Sequence, residues 1–87
     1  MAAGRHIDLF LDMMAAERGA SANTLAAYRR DLDHYTAFLA GQGRGPEAAT
    51  TELIRAFLAE CRSQGLKAAS VARRLSSVRQ LHRFLFA

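Results

Sequence analysis

The stretch Ser21-Ala22-Asn23-Thr24-Leu25-Ala26-Ala27-Tyr28-Arg29-Arg30-Asp31-Leu32-Asp33-His34-Tyr35-Thr36-Ala37-Phe38-Leu39-Ala40 decides the fold class. Leu25, Tyr28, Leu32, Tyr35 and Leu39 follow one another at intervals of 3, 4, 3 and 4, the repeat of one apolar stripe on an α-helix. A half-buried strand would alternate every second residue, and the β-branched clusters that mark strands are missing from the chain. Ser21 is the natural N-cap, because its hydroxyl can accept a bond from one of the orphan amides that open a helix. The helix is expected to reach about Ala40 and to break in Gly41-Gln42-Gly43-Arg44-Gly45-Pro46, which holds the only proline. No strand precedes this glycine run and no Lys-Ser or Lys-Thr pair follows it. It reads as a flexible connection and not as a phosphate-binding loop.

Working outward, Ile7, Phe10, Leu11 and Met14 form a second stripe that ends near Gly19, giving a first helix over roughly residues 6–18. Beyond the loop, Thr50 or Thr51 can cap a third helix that buries Leu53, Ile54, Phe57, Leu58 and Cys61 and stops at Gly65. Cys61 continues that stripe and reads as a small core residue. Ser70 is the candidate cap of a fourth helix, whose apolar wedge is Val71, Leu75, Val78, His82 and Leu85. Its opposite face carries Arg73, Ser76, Gln80 and Arg83, with Arg79 beside them. The chain closes on Phe84-Leu85-Phe86-Ala87 with no stop signal, which suggests a fragment of a longer polypeptide. The expectation is an all-α, compact bundle of four main helices filling one domain, 1–87.

A chain of 87 residues leaves little room for a deep catalytic cleft of its own. No apolar run has the length of a membrane span and no signal-peptide pattern opens the sequence, so a cytoplasmic protein is expected. One cysteine cannot form an internal disulfide, and with three scattered histidines it does not make a four-ligand zinc site. No metal and no cofactor is expected. The charge is informative. All eight acids lie in residues 1–60, whereas from Cys61 onward there are six bases (Arg62, Lys67, Arg73, Arg74, Arg79, Arg83) and no acid. A segment of one sign suits a polyanion such as nucleic acid.

Catalytic constellations are weak. Asp8 and Asp12 stand four apart, but acids near a helix start are favoured by the helix dipole without any chemical task. The serines and histidines have no acid placed to orient a base, and Tyr28 and Tyr35 face the core side of their helix. Nucleic-acid binding has better support. Asn23, Ala27, Arg30 and His34 line the polar side of the second helix, where small residues permit close approach to a phosphate backbone. Ser70, Arg73, Arg79 and Arg83 offer a second surface on the fourth helix.

Two segments read together, Ser21-Ala22-Asn23-Thr24-Leu25-Ala26-Ala27-Tyr28-Arg29-Arg30-Asp31-Leu32 and Lys67-Ala68-Ala69-Ser70-Val71-Ala72-Arg73-Arg74-Leu75-Ser76-Ser77-Val78-Arg79, resemble the signature helices of the N-terminal core-binding domain of tyrosine recombinases, closest to the Xer type. The resemblance implies a SAM-like integrase N-terminal bundle that forms half of a clamp on double-stranded DNA through its second and fourth helices. It makes Thr24 and Ser70 phosphate candidates and Arg73 and Arg74 groove candidates, with Ser77 and Lys67 as further ones. With Asn23, Ala27, Arg30 and Arg79 these complete the expected DNA-binding set. Ala26 and Ala27 offer little base chemistry, so the second helix is expected to position the domain more than to read sequence. The resemblance places the catalytic arginines, histidine and tyrosine nucleophile outside this chain, so the fragment is expected to bind DNA without cutting it. The parent is expected to be a nucleoid-associated bacterial enzyme that needs no cofactor and forms a tetramer on paired sites. No small-molecule ligand is expected.

Two other readings stand beside this one. A stand-alone helix-turn-helix regulator would use the third and fourth helices around Gln64-Gly65-Leu66, although their connection to Ser70 looks long for that motif. A protein-interaction bundle would dock an acidic partner on the basic face, or another domain on an exposed Phe84 and Phe86.

Overall fold

Residues 2–86 are described by the computed structural model of the chain. They form α1 (Ala2–Arg18), α2 (Ala22–Gly41), α3 (Thr51–Ser63) and α4 (Ala68–Leu85), with a short 3-10 turn at Pro46–Ala48 and no strand among the described residues. No helix there is long and apolar enough to cross a membrane. The expected four-helix bundle is what the chain builds.

Local chemistry sets the helix limits. The Ser21 hydroxyl accepts from the Thr24 amide and the Thr50 hydroxyl from the Leu53 amide, so both hydroxyls cap the helices they precede. Gly65 has φ of +90° and lets the Leu66 amide turn back to the Cys61 carbonyl, which closes α3. Two starts differ from expectation. α1 begins at Ala2, because the helix-favouring alanines ahead of Gly4 extend it. α4 begins at Ala68 with Lys67 as its N-cap and no side-chain cap bond, so Ser70 lies inside the first turn. Ala68 and Ala69 carry the helix back past the hydroxyl that was expected to start it.

The α2–α3 loop is better organised than a flexible connection. The amides of Gln42 and Arg44 bond the Leu39 carbonyl, Arg44 Nη1 donates to the Ala48 carbonyl at 3.2 Å, and Pro46 is buried. All four helices contribute to one core. It joins Ile7, Phe10, Leu11 and Met14 of α1, Leu32, Tyr35 and Leu39 of α2, Phe57, Leu58 and Cys61 of α3, and Val71, Val78 and Leu81 of α4. Phe10 meets Tyr28 and Phe84 edge-on at 5.8 Å, and Tyr35 meets Phe57 at 5.3 Å. Phe84 is therefore partly covered, and only Phe86 of the terminal pair is largely exposed. Ala87 lies outside the described residues.

Candidate nucleic-acid interface

α2 and α4 run side by side and leave a groove of about 250 Å³ lined by Thr24, Ala27, Tyr28, Asp31, Arg73, Ser76 and Ser77. Ala27 makes the groove possible, since a larger side chain there would fill it. At its floor Asp31 is 1% exposed. A buried carboxylate is costly unless its oxygens are taken up, and here they are. Oδ1 accepts from Arg73 Nη2 at 2.9 Å, and Oδ2 accepts from Arg73 Nε at 3.0 Å and from the Ser77 hydroxyl at 3.0 Å. The Ser77 hydroxyl has the Arg73 carbonyl, at 3.1 Å, as its other acceptor. The bond to Asp31 raises the pKa of the Arg73 guanidinium still further.

Arg74 approaches the same carboxylate from the core side. Its Nε lies 3.6 Å from Asp31 Oδ1, close enough for ionic attraction but beyond a hydrogen bond, and is buried without a partner. Its Nη1 donates to Cys61 Sγ at 3.4 Å. Two guanidiniums thus face one carboxylate, and the cluster carries a surplus positive charge beneath the groove. Cys61 itself is 2% exposed and is the small core residue its position in the stripe suggested.

The expected site residues divide along these lines. Thr24, Ala27 and Arg73 come together in the groove, and the Arg73 side chain is 53% exposed. Ser77, another of the expected DNA contacts, is buried and donates to Asp31. The Arg74 side chain is only 12% exposed and lies against Cys61, because its position on α4 falls toward the core. Asn23, Arg30 and Lys67 are exposed but do not line the groove, and Ser70 is half-buried in the first turn of α4. Arg79 lines a separate groove between α3 and α4, together with Arg55 and Arg83.

Asp31 and Ser76 are groove residues to which the sequence reading gave no role. Asp31 had a signal. It stands three residues after Tyr28 and four before Tyr35, which places a carboxylate on the apolar stripe itself. Asp8, by contrast, is exposed and bonded to Arg29 Nη2 at 2.7 Å, a surface pair with no chemical task. Among the described residues no group of histidine, cysteine or carboxylate side chains could hold a metal ion.

Residues 7–87 match the model of the phage integrase N-terminal SAM-like domain. The chain belongs to that family. Within the described SAM-like bundle, the two signature segments are the helices that border the groove. The chain is 48% identical over 82 residues to the tyrosine recombinase XerD of Rhizobium meliloti (strain 1021), a match covering 94% of this chain and 26% of that protein. It is 53% identical over 77 residues to the tyrosine recombinase XerD of Bradyrhizobium diazoefficiens, covering 88% and 24%. With the protein of the same name from Caulobacter vibrioides it shares 45% over 78 residues, covering 90% and 26%. The chain thus spans about a quarter of the length of the curated relatives it matches. No solved structure matches.

Proposed function

We propose that this chain is the core-binding domain of a site-specific tyrosine recombinase, and that it docks on duplex DNA through α2 and α4. The observation that carries the proposal is the groove between those two helices, where a half-exposed Arg73, held by the buried Asp31 that Arg74 also faces, stands beside Thr24 and Ser76 and leaves the cluster one positive charge in surplus. The relatives' names supply the reaction. Thr24, Ser70, Asn23 and Lys67 are suited to phosphates, and Arg30 and Arg79 extend positive charge to either side. Strand cleavage and rejoining belong to residues outside these 87, in a parent that closes the other half of a clamp and self-associates into a tetramer on paired sites. Such a parent works in the cytoplasm, on the nucleoid.

The test is fluorescence anisotropy with a labelled duplex across a salt series. Affinity is expected to fall linearly with the logarithm of salt concentration, with a slope of about 0.9 per phosphate neutralised. Arg73→Ala is expected to weaken binding, while Arg5→Ala, on α1, leaves it unchanged. Salt-independent binding, or equal loss in both variants, contradicts the proposal.

A second reading has one observation in its favour. The α3–α4 groove, about 590 Å³, is larger than the first, with Ile54, Leu58, Leu75 and Val78 on its walls and Arg55, Arg79 and Arg83 among them. That composition suits a protein segment better than a phosphate chain. Loss of DNA affinity on Leu75→Glu without unfolding assigns this groove to DNA; retention leaves it to a protein. The α3–α4 connection, residues 64–67, is as short as a helix-turn-helix turn, so its length no longer speaks against a regulator. Family membership does.

A further inference from the structure

We infer that Asp31 is a positioning residue for Arg73, holding the guanidinium side-on so that its end-on edge is offered to DNA as a ready-made fork. The inference rests on the DNA-docking reading and adds the device that would make Arg73 selective. An arginine has two edges that can each grip a pair of acceptors. Asp31 takes the edge formed by Nε and Nη2, at 3.0 and 2.9 Å. The other edge, Nη1 with the remaining hydrogen of Nη2, has no bond within the described residues.

The geometry is asymmetric in burial as well. Asp31 is sealed at the floor while the Arg73 side chain is half in solvent, so the fixed partner is the carboxylate and the presented one is the arginine. Ser77 pins Oδ2 from the next turn of α4, and Arg74 faces Oδ1 from the core, so the carboxylate plane is set from three sides. The clamp also joins α2 to α4. The arginine therefore projects from a seam between two packed helices and not from a single flexible stem.

A free arginine must give up its rotamer freedom when it binds, whereas one already clamped has given it up on folding. The outward fork matches the O6 and N7 acceptors of a guanine in the major groove, or two oxygens of one phosphate. A lysine could supply the charge but neither the clamp nor the fork.

Electrostatics alone and positioning make opposite predictions for Asp31→Asn. Removing a negative charge near DNA should tighten binding if charge is all that matters. If Asp31 positions Arg73, binding weakens. The experiment is a double-mutant cycle in duplex affinity with wild type, Asp31→Asn, Arg73→Ala and the double variant, each checked for folding by circular dichroism and urea titration. Arg73→Ala is expected to cost roughly 5- to 150-fold in affinity, the range of a good bidentate contact. Asp31→Asn is expected to lose a substantial part of that, and the double variant to bind no more weakly than Arg73→Ala alone. Equal losses from Asp31→Asn in both backgrounds, or tighter binding, overturn the inference.

If Asp31→Asn does not fold, Arg73→Lys carries the test. It keeps the charge and must bind nearly as weakly as Arg73→Ala; affinity like wild type overturns the fork. A loss confined to one base pair identifies guanine as the acceptor, and a uniform loss with a salt slope smaller by about 0.9 identifies a phosphate. Absence of any salt-dependent binding by the wild-type chain removes the DNA reading itself. Additive effects in a chain that does bind remove only the role of Asp31.

Discussion

At the scale of the residue, Asp31 does two things that can be separated. It is part of the interior, and its loss leaves two arginines and a serine hydroxyl without the acceptor around which they are arranged. Asp31→Ala is expected to destabilise the domain by about 3 kcal/mol, the usual cost of removing one member of a buried ion pair. Ser76→Ala, in the same groove but exposed, should stay within about 0.5 kcal/mol in the same urea titration. Equal effects would mean that the cluster does not hold α2 to α4.

His82 offers a second residue-level prediction. Its Nε2 and the Tyr35 hydroxyl lie 2.7 Å apart, and burial holds its pKa below the usual 6.5 while pushing the Tyr35 hydroxyl up to about 12. The face around His82 carries Arg55, Arg79 and Arg83 and no carboxylate that would favour the charged ring. Because the folded value is the lower one, the unfolded chain binds more protons as the solution is acidified. Stability present at neutral pH is therefore lost as pH falls through about 6.5 toward the folded value. Urea titrations between pH 7.5 and 5.5 should show that decline, and His82→Gln should flatten it. An unchanged slope in the variant would contradict the assignment of the effect to His82.

Elements were legible wherever a stripe and a stop signal agreed. Ser21, Thr50 and Gly65 stand where backbone chemistry requires them, and those helix limits follow from the sequence. Ser21→Ala and Thr50→Ala should each cost about 1 kcal/mol. The start of α4 was not legible, because a serine preceded by two alanines presents a cap signal that the alanines override. Ser70→Ala should accordingly stay within about 0.5 kcal/mol in stability while remaining open to an effect on DNA. A cap-sized loss at Ser70 would contradict the helix start at Ala68. Arg73 and Arg74 are neighbours in sequence, yet 100° of rotation sends one to the groove and the other to the core. At 100° per residue Arg74 falls at the margin of the apolar stripe, and the Asp31 carboxylate lies on its core side.

For the whole molecule, the separation of charge along the chain becomes a separation in space through α4. Its solvent side carries Arg79 and Arg83 toward α3 and Arg73 toward α2, and the one acid lining the α2–α4 groove, Asp31, is neutralised. The bundle itself was legible because four stripes need one another to be buried. The site was legible as a pair of helices but not as a set of contacts, since which polar residue is buried depends on how the helices pack. Two-dimensional ¹H–¹⁵N NMR of the chain, titrated with a duplex, tests whether DNA docks along α2 and α4. The largest shift changes are expected along the α2–α4 groove, at the amides of Thr24, Ala27, Arg73 and Ser76, and to shrink with added salt. Changes clustered on α1 or in the α3–α4 groove, or none at low salt, would contradict it.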